Sequence, residues 1–204
     1  MSNLTLYVDS NFYSPYAMAC YVALVEKGLP FTLTKVDLDG GEHLLPAFRD
    51  IAPTGRIPLL QHGDIMLNES SAIIEYLDEV FPAAPVLPTD IVLRARARQV
   101  QAWIRGDLLA LRAERSTAAV FGAPATQALT AAAQQSADRL INVAGKMIDG
   151  EHLFGAWTIA DADMALVLQR LIKSGDPVPE QLRQYADRQW QRESVQQWVK
   201  LGLA

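Results

Sequence analysis

The sequence predicts two domains, an α/β domain over residues 1–80 and an all-helical domain over residues 90–204. In the first domain, short apolar segments of strand length alternate with helical patterns, as in a small sheet covered by helices. Residues 81–89 contain three prolines and no helical period, which indicates a linker. Beyond the linker, apolar residues recur at intervals of three and four, which is typical of helices. The chain has 204 residues, half of them hydrophobic, enough for two small cores.

The first predicted unit is a strand, a loop and a helix. Residues 4–8 form an apolar run of strand length, and the helical pattern that follows stops at Gly28. Ser14 and Pro15 suit the N-cap and the first helical position. The positive end of a helix favours an anion. Ser14 therefore has two interpretations, a helix cap alone or a cap that also faces an anionic ligand.

The rest of the first domain reads as three further strands, two of them joined by a hairpin turn, and two helices. Residues 31–36 predict a second strand that pairs in parallel with the first, and residues 43–50 predict a short helix. Gly63–Asp64 predicts the turn of a hairpin between two apolar runs. A helix follows, and Ser70 is one candidate for its N-cap.

Helices account for the second domain. Thr89 or Asp90 is expected to cap one long helix whose apolar stripe runs on to Leu111, and a second helix is expected over 126–149. Thr158 and Asp161 have the spacing of a capping box, which makes Asp161 structural. Three tryptophans are expected to be core or domain-interface residues and not a ligand cage, namely Trp157, Trp190 and Trp198.

Composition excludes several classes of function. A net charge of −5 gives no electrostatic reason to bind nucleic acid or an anionic membrane. No apolar run reaches the roughly 18 residues of a membrane span, and no signal peptide is apparent. A single cysteine, Cys20, excludes an intramolecular disulfide and suits a cytoplasmic protein. Three scattered histidines have no metal-ligand spacing, so no metal is expected.

Three motifs resemble those of one family. Residues 14–17, Ser-Pro-Tyr-Ala, are similar to the Cys-Pro-Tyr-Cys of glutaredoxins with both cysteines replaced. Residues 55–60, Gly-Arg-Ile-Pro-Leu-Leu, resemble the Gly-x-Val-Pro-x-Leu segment of thioredoxin-like glutathione-binding domains. Residues 69–77 match the Glu-Ser-x-Ala-Ile-x-x-Tyr-Leu signature of glutathione transferases. In this order, the motifs identify the chain as a member of the cytosolic-type glutathione transferases, most similar to the serine-using zeta and tau classes and their bacterial relatives.

The resemblance implies a thioredoxin-like first domain and glutathione as co-substrate in a cleft between the domains. Ser14 would donate a hydrogen bond to the glutathione thiolate, with Tyr7 and Tyr13 as rivals for that role. Glu69 would pair with the α-ammonium of the γ-glutamyl group, and Ser70 with its carboxylate. The resemblance also implies a cis Ile57–Pro58 bond, whose segment would bind the backbone of the cysteinyl residue of glutathione. His43 would bind the glycine end of glutathione.

The implied activity is attack of glutathione on a small apolar electrophile, with reduction of organic hydroperoxides as an added activity. The Phe12–Tyr13 loop and the 103–115 helix face are expected to line the electrophile pocket. Two alternatives stay open. One is a maleylacetoacetate-type isomerase, whose family carries Ser-Ser-Cys where this chain has Tyr13-Ser14-Pro15. The other is a non-catalytic protein-binding member, like the stringent-starvation proteins.

A homodimer is the expected assembly. The resemblance implies it, and four arginines form a basic stripe along the first helix of the second domain, at positions 94, 98, 105 and 112. Such a stripe is either a solvated or ion-paired face, or it borders the substrate cleft or a subunit interface.

Overall fold

A computed structural model describes residues 3–203 and divides them into two compact units. The first unit contains the residues up to Val86 together with those from Gln197 onward, and the second is Leu87–Gln196. The final residues of the chain are therefore part of the first unit.

The first unit is built on a four-stranded mixed sheet of order β2-β1-β3-β4. The strands are β1 (Leu4–Asp9), β2 (Thr32–Val36), β3 (Leu59–His62) and β4 (Ile65–Asn68). β1 pairs with β2 in parallel and with β3 in antiparallel fashion, and β3 and β4 form the predicted hairpin. The predicted parallel pair and hairpin are confirmed.

The helices that lie wholly in this unit are α1 (Pro15–Glu26), α2 (Pro46–Ile51) and α3 (Ser70–Val80). α1 packs against α3. Because side chains alternate along a strand, one face of β1 buries Leu4, Leu6 and Val8 completely or nearly so. Tyr7 points the other way and joins a cluster formed around Phe48 of α2.

The predicted helix over 43–50 is wrong in detail, because Pro46 divides it. A residue before proline is biased away from helical angles, and Leu45 has φ −68° and ψ 146°. A single 3₁₀ turn, Glu42–Leu44, therefore precedes α2, which starts with Pro46 as its first residue.

The second unit is helical throughout its regular structure. Its helices are α4 (Ile91–Gly106), α5 (Leu109–Glu114), α6 (Ala118–Phe121), α7 (Ala131–Met147), α8 (Ile159–Lys173), α9 (Glu180–Trp190) and the start of α10 (Glu193–Leu201). One apolar core is shared by α4, α5, α7, α8 and α9.

Two helix boundaries differ from prediction. The helix expected to run on to Leu111 stops at Gly106, where the Asp107 carboxylate accepts the indole N–H of Trp103 and pairs with Arg139 of α7 at 2.6 Å. α7 starts at Ala131 because Thr130 caps it, its hydroxyl accepting from the Ala133 N–H.

The predicted capping box at the start of α8 is confirmed. Asp161 is fully buried and accepts hydrogen bonds from the Thr158 N–H and hydroxyl, the Leu153 N–H and the Tyr185 hydroxyl. Burial beside this carboxylate raises the pKa of Tyr185. Its oxygens are occupied by structural partners, as expected for a residue without a catalytic role.

No helix within residues 3–203 combines the length and apolar character of a membrane span. Over the same described range, histidine, cysteine, aspartate and glutamate form no group of three or more suited to a metal ion.

Candidate functional site

The register of the sheet brings the loops that carry the three motifs to one end. Tyr7 of β1 faces Leu59 of β3, and Leu59 faces Asn68 of β4, so the end of β1, the start of β3 and the end of β4 lie side by side. β2 ends at the same edge, since Val36 pairs with Asp9. The segments that flank these strand ends carry the residues predicted to bind glutathione, namely Ser14, His43, Ile57, Pro58, Glu69 and Ser70.

Ser14 is the N-cap of α1, as the sequence predicts. Its backbone is extended, Pro15 occupies the first helical position, and the Ser14 hydroxyl oxygen accepts from the Ala17 N–H at 3.2 Å. Capping in this way uses only a lone pair of the hydroxyl, so the O–H proton remains a donor. The cap interpretation and the ligand interpretation of Ser14 are therefore compatible.

Asp9, the last residue of β1, holds the backbone of the Ser14 loop. Its buried carboxylate accepts the N–H of Tyr13 at 2.5 Å and that of Ser14 at 3.1 Å. Burial raises the pKa of the Asp9 carboxyl, and the two backbone N–H groups oppose that rise. The loop is thus fixed from the strand side by a carboxylate that the sequence analysis did not single out.

Phe12 adopts a left-handed backbone conformation with φ +57°, which is unfavourable for a bulky residue. Its side chain is 2% exposed, and the ring packs edge-on against Trp198 of α10. The expectation that Phe12 lines an electrophile pocket is therefore wrong, because its ring is buried against Trp198. Trp198 is a core residue, as predicted for the tryptophans.

The Ile57–Pro58 bond is cis, which confirms what the resemblance implies. Asn68, the last residue of β4, holds this segment: its amide donates to the carbonyls of Arg56 at 3.0 Å and Pro58 at 3.2 Å. On the other side of the segment lies the turn that carries His43. A Cβ added to Gly55, which has φ +61°, would come within 3.1 Å of the His43 carbonyl oxygen, so any larger residue would be strained there.

Glu69 and Ser70 lie at the start of α3. Glu69 occupies the N-cap position with φ +70° and an exposed side chain that caps nothing. Ser70 is the first residue of the helix and is 4% exposed, so the expectation of a Ser70 N-cap is wrong. The Cys20 thiol of α1 lies 3.8 Å from the Ser70 carbonyl, which ties the helix that begins at Ser14 to this second helix start.

The structure engages both tyrosines considered for the hydroxyl role, Tyr7 through its hydroxyl and Tyr13 through its backbone. The Tyr7 hydroxyl donates to the Gln61 side chain at 3.3 Å, and its ring packs against Phe48. Tyr13 contributes its backbone N–H to Asp9. The Ser14 hydroxyl is fixed at the start of α1 by its bond to the Ala17 N–H.

Sequence reasoning missed three residues that hold the site, namely Asp9, Asn68 and Trp198. Asp9 directly follows the apolar run of the predicted first strand, and Asn68 directly precedes Glu69 and Ser70, so both had a local signal in the sequence. Trp198 had no such signal, because it lies 186 residues from the loop it contacts.

The sheet order, the serine-capped first helix and the cis-proline before β3 define a thioredoxin-like domain, which is followed here by helices. A model of the N-terminal domain of glutathione S-transferases matches residues 13–80, and a model of their C-terminal domain matches residues 90–204. The chain belongs to the glutathione S-transferase family.

Individual relatives agree with this assignment. A glutathione transferase homologue from Burkholderia, solved with bound glutathione, is 44% identical, and the match covers 98% of both chains with a TM-score of 0.81. Glutathione S-transferase 1 of Dianthus caryophyllus is 51% identical over 36% of this chain and 34% of its own length. Maleylacetoacetate isomerase of Pseudomonas aeruginosa is 43% identical over 43% and 42%. The chain thus spans less than half the length of these two relatives.

Proposed function

We propose that the protein is a glutathione transferase that uses Ser14 to stabilise the thiolate of bound glutathione for attack on a small apolar electrophile. The observation that carries this proposal is the Ser14 hydroxyl, which caps α1 through a lone pair, so that its proton can still be donated. The related Burkholderia structure contains glutathione. Family membership and this geometry together favour glutathione as the co-substrate.

The chemistry requires an anion, because a protonated thiol is a poor nucleophile. A hydrogen bond from Ser14 and the positive end of α1 would both favour the thiolate over the thiol. Ser14 would stabilise the sulfur anion and would not itself attack. Tyr13 and Ser14 keep their positions through Asp9, so the donor would not have to reorganise when the ligand binds.

The rest of glutathione would be bound by the neighbouring loops. The exposed Glu69 carboxylate would pair with the α-ammonium of the γ-glutamyl group, and Ser70 at the start of α3 would take its carboxylate. The backbone of Ile57 would pair with the cysteinyl residue. His43, whose Nδ1 is buried without a hydrogen-bond partner among the described residues, is the candidate for the glycine end.

Calorimetric titration of glutathione into the purified protein tests the proposal. We expect binding in the micromolar to millimolar range that is typical of enzyme substrates. Saturable transfer of glutathione to an activated aryl halide, and reduction of an organic hydroperoxide, would then define the reaction. Absence of binding at millimolar glutathione would overturn the proposal and favour the non-catalytic, protein-binding alternative.

A second candidate is a glutathione-dependent cis–trans isomerase. The observation that favours it is the 43% identity to maleylacetoacetate isomerase over 91 residues. The two candidates differ in what happens to glutathione: a transferase consumes it, whereas an isomerase returns it. Measuring free thiol during turnover of a maleyl substrate distinguishes them, since a constant thiol concentration with isomerised product identifies the isomerase.

Changing Glu69 to glutamine should weaken glutathione binding by about 1–3 kcal/mol, because a charge-assisted hydrogen bond to the α-ammonium is lost. That is about a fivefold to 150-fold rise in Kd, measured by calorimetry. Glu79→Gln is the matched control, since Glu79 is an exposed carboxylate near the other end of α3. Equal affinities of the two variants would remove Glu69 from the γ-glutamyl site.

We also propose a homodimer, which the family resemblance implies. The first turn of α4 exposes two large apolar side chains, Ile91 at 80% and Val92 at 57%, next to the arginine stripe. Sedimentation equilibrium at micromolar protein should give about twice the 22.4 kDa chain mass. Ile91→Asp should shift the mass toward the monomer if this turn is in the interface. A monomeric mass for the unmodified protein would refute the dimer.

A further inference from the structure

The loop that carries Ser14 is held by the last helix of the chain. The indole N–H of Trp198 donates to the Phe12 carbonyl at 3.1 Å, two residues before Ser14. Trp198 has no exposed surface, and its ring lies 5.2 Å from that of Phe12 and 5.4 Å from that of Tyr21 in α1. The contact therefore joins α10 both to the loop and to the helix that the loop precedes.

The Phe12 conformation depends on such contacts. A left-handed φ at a phenylalanine persists only where the surroundings fix it. Trp198 fixes the carbonyl and one side of the ring, while the Lys35 ammonium lies 4.9 Å from the ring centroid. Gly202 lies beside the same loop, since a Cβ added to it would be in ordinary van der Waals contact, at 3.6 Å, with the Asn11 carbonyl oxygen and the Phe12 Cβ.

Two groups thus fix successive parts of one loop. The Asp9 carboxylate binds the N–H groups of Tyr13 and Ser14, and the Trp198 indole binds the carbonyl of Phe12. Rotation of the Phe12 backbone toward ordinary right-handed angles would carry the following residues with it. The direction of the Ser14 hydroxyl relative to α1 therefore depends on a residue near the end of the chain.

We propose that Trp198 is a positioning residue for Ser14, acting through the Phe12 carbonyl. This inference rests on the proposed function for its effect on glutathione, although its effect on the loop can be measured without any ligand. Trp198 does not touch the thiol. Its loss should impair thiolate stabilisation by Ser14 and leave the γ-glutamyl contacts of Glu69 and Ser70 intact, because both residues lie at the start of α3.

The test replaces the indole N–H and keeps an aromatic ring. Trp198→Phe removes the donor to Phe12, and Trp190→Phe is the matched control, a buried indole of α9 that packs on Phe121 instead. Hydrogen exchange of residues 10–14, read by mass spectrometry without ligand, reports on the loop. The ultraviolet absorbance of thiolate, titrated with pH, reports on bound glutathione, and calorimetry at low pH gives the affinity for the protonated thiol.

We expect Trp198→Phe to accelerate exchange in residues 10–14 and to lower the thiolate fraction of bound glutathione about twofold to tenfold near neutral pH, the range of one hydrogen bond. The Kd measured at low pH should change less than about twofold, since the γ-glutamyl contacts persist. Trp190→Phe should leave all three readings at their original values. A variant with 5-fluorotryptophan at position 198 keeps the indole N–H. If this donor is what matters, the variant should behave as the unmodified protein.

The outcomes separate this inference from the proposed function. If the unmodified protein does not bind glutathione, the proposed function fails, and the exchange measurement still decides whether Trp198 fixes the loop. Unchanged exchange and an unchanged thiolate titration in Trp198→Phe would overturn the inference while leaving the transferase intact. Should the phenylalanine variant not fold, 3-benzothienylalanine at 198, which replaces only the N–H by sulfur, provides the same comparison.

Discussion

Replacing Ser14 with alanine should raise the pKa of the thiol of bound glutathione and slow its attack on an electrophile. Removing one donor costs about 2.7–4 kcal/mol where it is the main stabiliser of an oxyanion. We expect a smaller loss here, because the positive end of α1 continues to favour the thiolate. The measurement is thiolate absorbance titrated with pH in both proteins, together with affinity at low pH, which should be nearly unchanged.

The loss of a helix cap must be separated from the loss of a thiolate donor. Thr130→Ala is the matched control, because the Thr130 hydroxyl caps α7 with the same kind of bond to the third residue beyond it. Each alanine should lower the free energy of unfolding by about 0.5–2 kcal/mol, the cost of a cap. Only Ser14→Ala should shift the thiol titration. Coincident midpoints for Ser14→Ala and the unmodified protein would reduce Ser14 to a cap.

Replacing Lys27 with methionine should lower the free energy of unfolding by about 3–5 kcal/mol, the cost of leaving a buried charge without its partner. The Lys27 ammonium lies 2.8 Å from the Asp78 carboxylate, with side-chain exposures of 0% and 2%. It also donates to the carbonyls of Ala83 and Ala84, and the same carboxylate accepts the Val86 N–H. This pair therefore joins the segment after α3 to the end of α1.

Urea-induced unfolding followed by circular dichroism provides the measurement. Lys146→Met, at an exposed position of α7, is the control and should change stability by no more than about 0.5 kcal/mol. Adding Asp78→Asn to Lys27→Met should recover part of the loss, since the uncompensated charge disappears. If the double variant is no more stable than Lys27→Met, the missing cation is not the cause of the loss.

Local patterns were sufficient to predict much of the fold and several features of the site. The Ser14 cap, the Gly63–Asp64 hairpin and the Thr158–Asp161 capping box each depend on residues a few positions apart, so the sequence displays them directly. The structure also brings the loops that carry the motifs to one end of the sheet, where the ends of neighbouring strands lie side by side. The roles of Glu69 and Ser70 toward glutathione remain predictions.

The errors have a common physical origin in contacts between distant segments. The apolar stripe runs on in phase through Leu108, so it cannot show that Arg139, 32 residues further on, binds Asp107 where α4 ends. In the same way, the local sequence indicates that Phe12 is an exposed loop aromatic, and only the structure shows that Trp198 covers its ring. Pro46 is different, since it is a local signal for a helix start that the predicted helix over 43–50 did not respect.

Residues from Gln197 onward belong to the first unit, so this unit cannot be complete until they have been synthesised. Domains generally fold as the chain emerges, at roughly 5–20 residues per second. Between the synthesis of Val86 and that of Trp198, a ribosome working at this speed needs roughly 6–22 seconds. Throughout that interval the Phe12 carbonyl has no indole to bind. The loop that carries Ser14 therefore lacks this contact until Trp198 has been synthesised, and a ribosome that stalls within α9 leaves the loop without it.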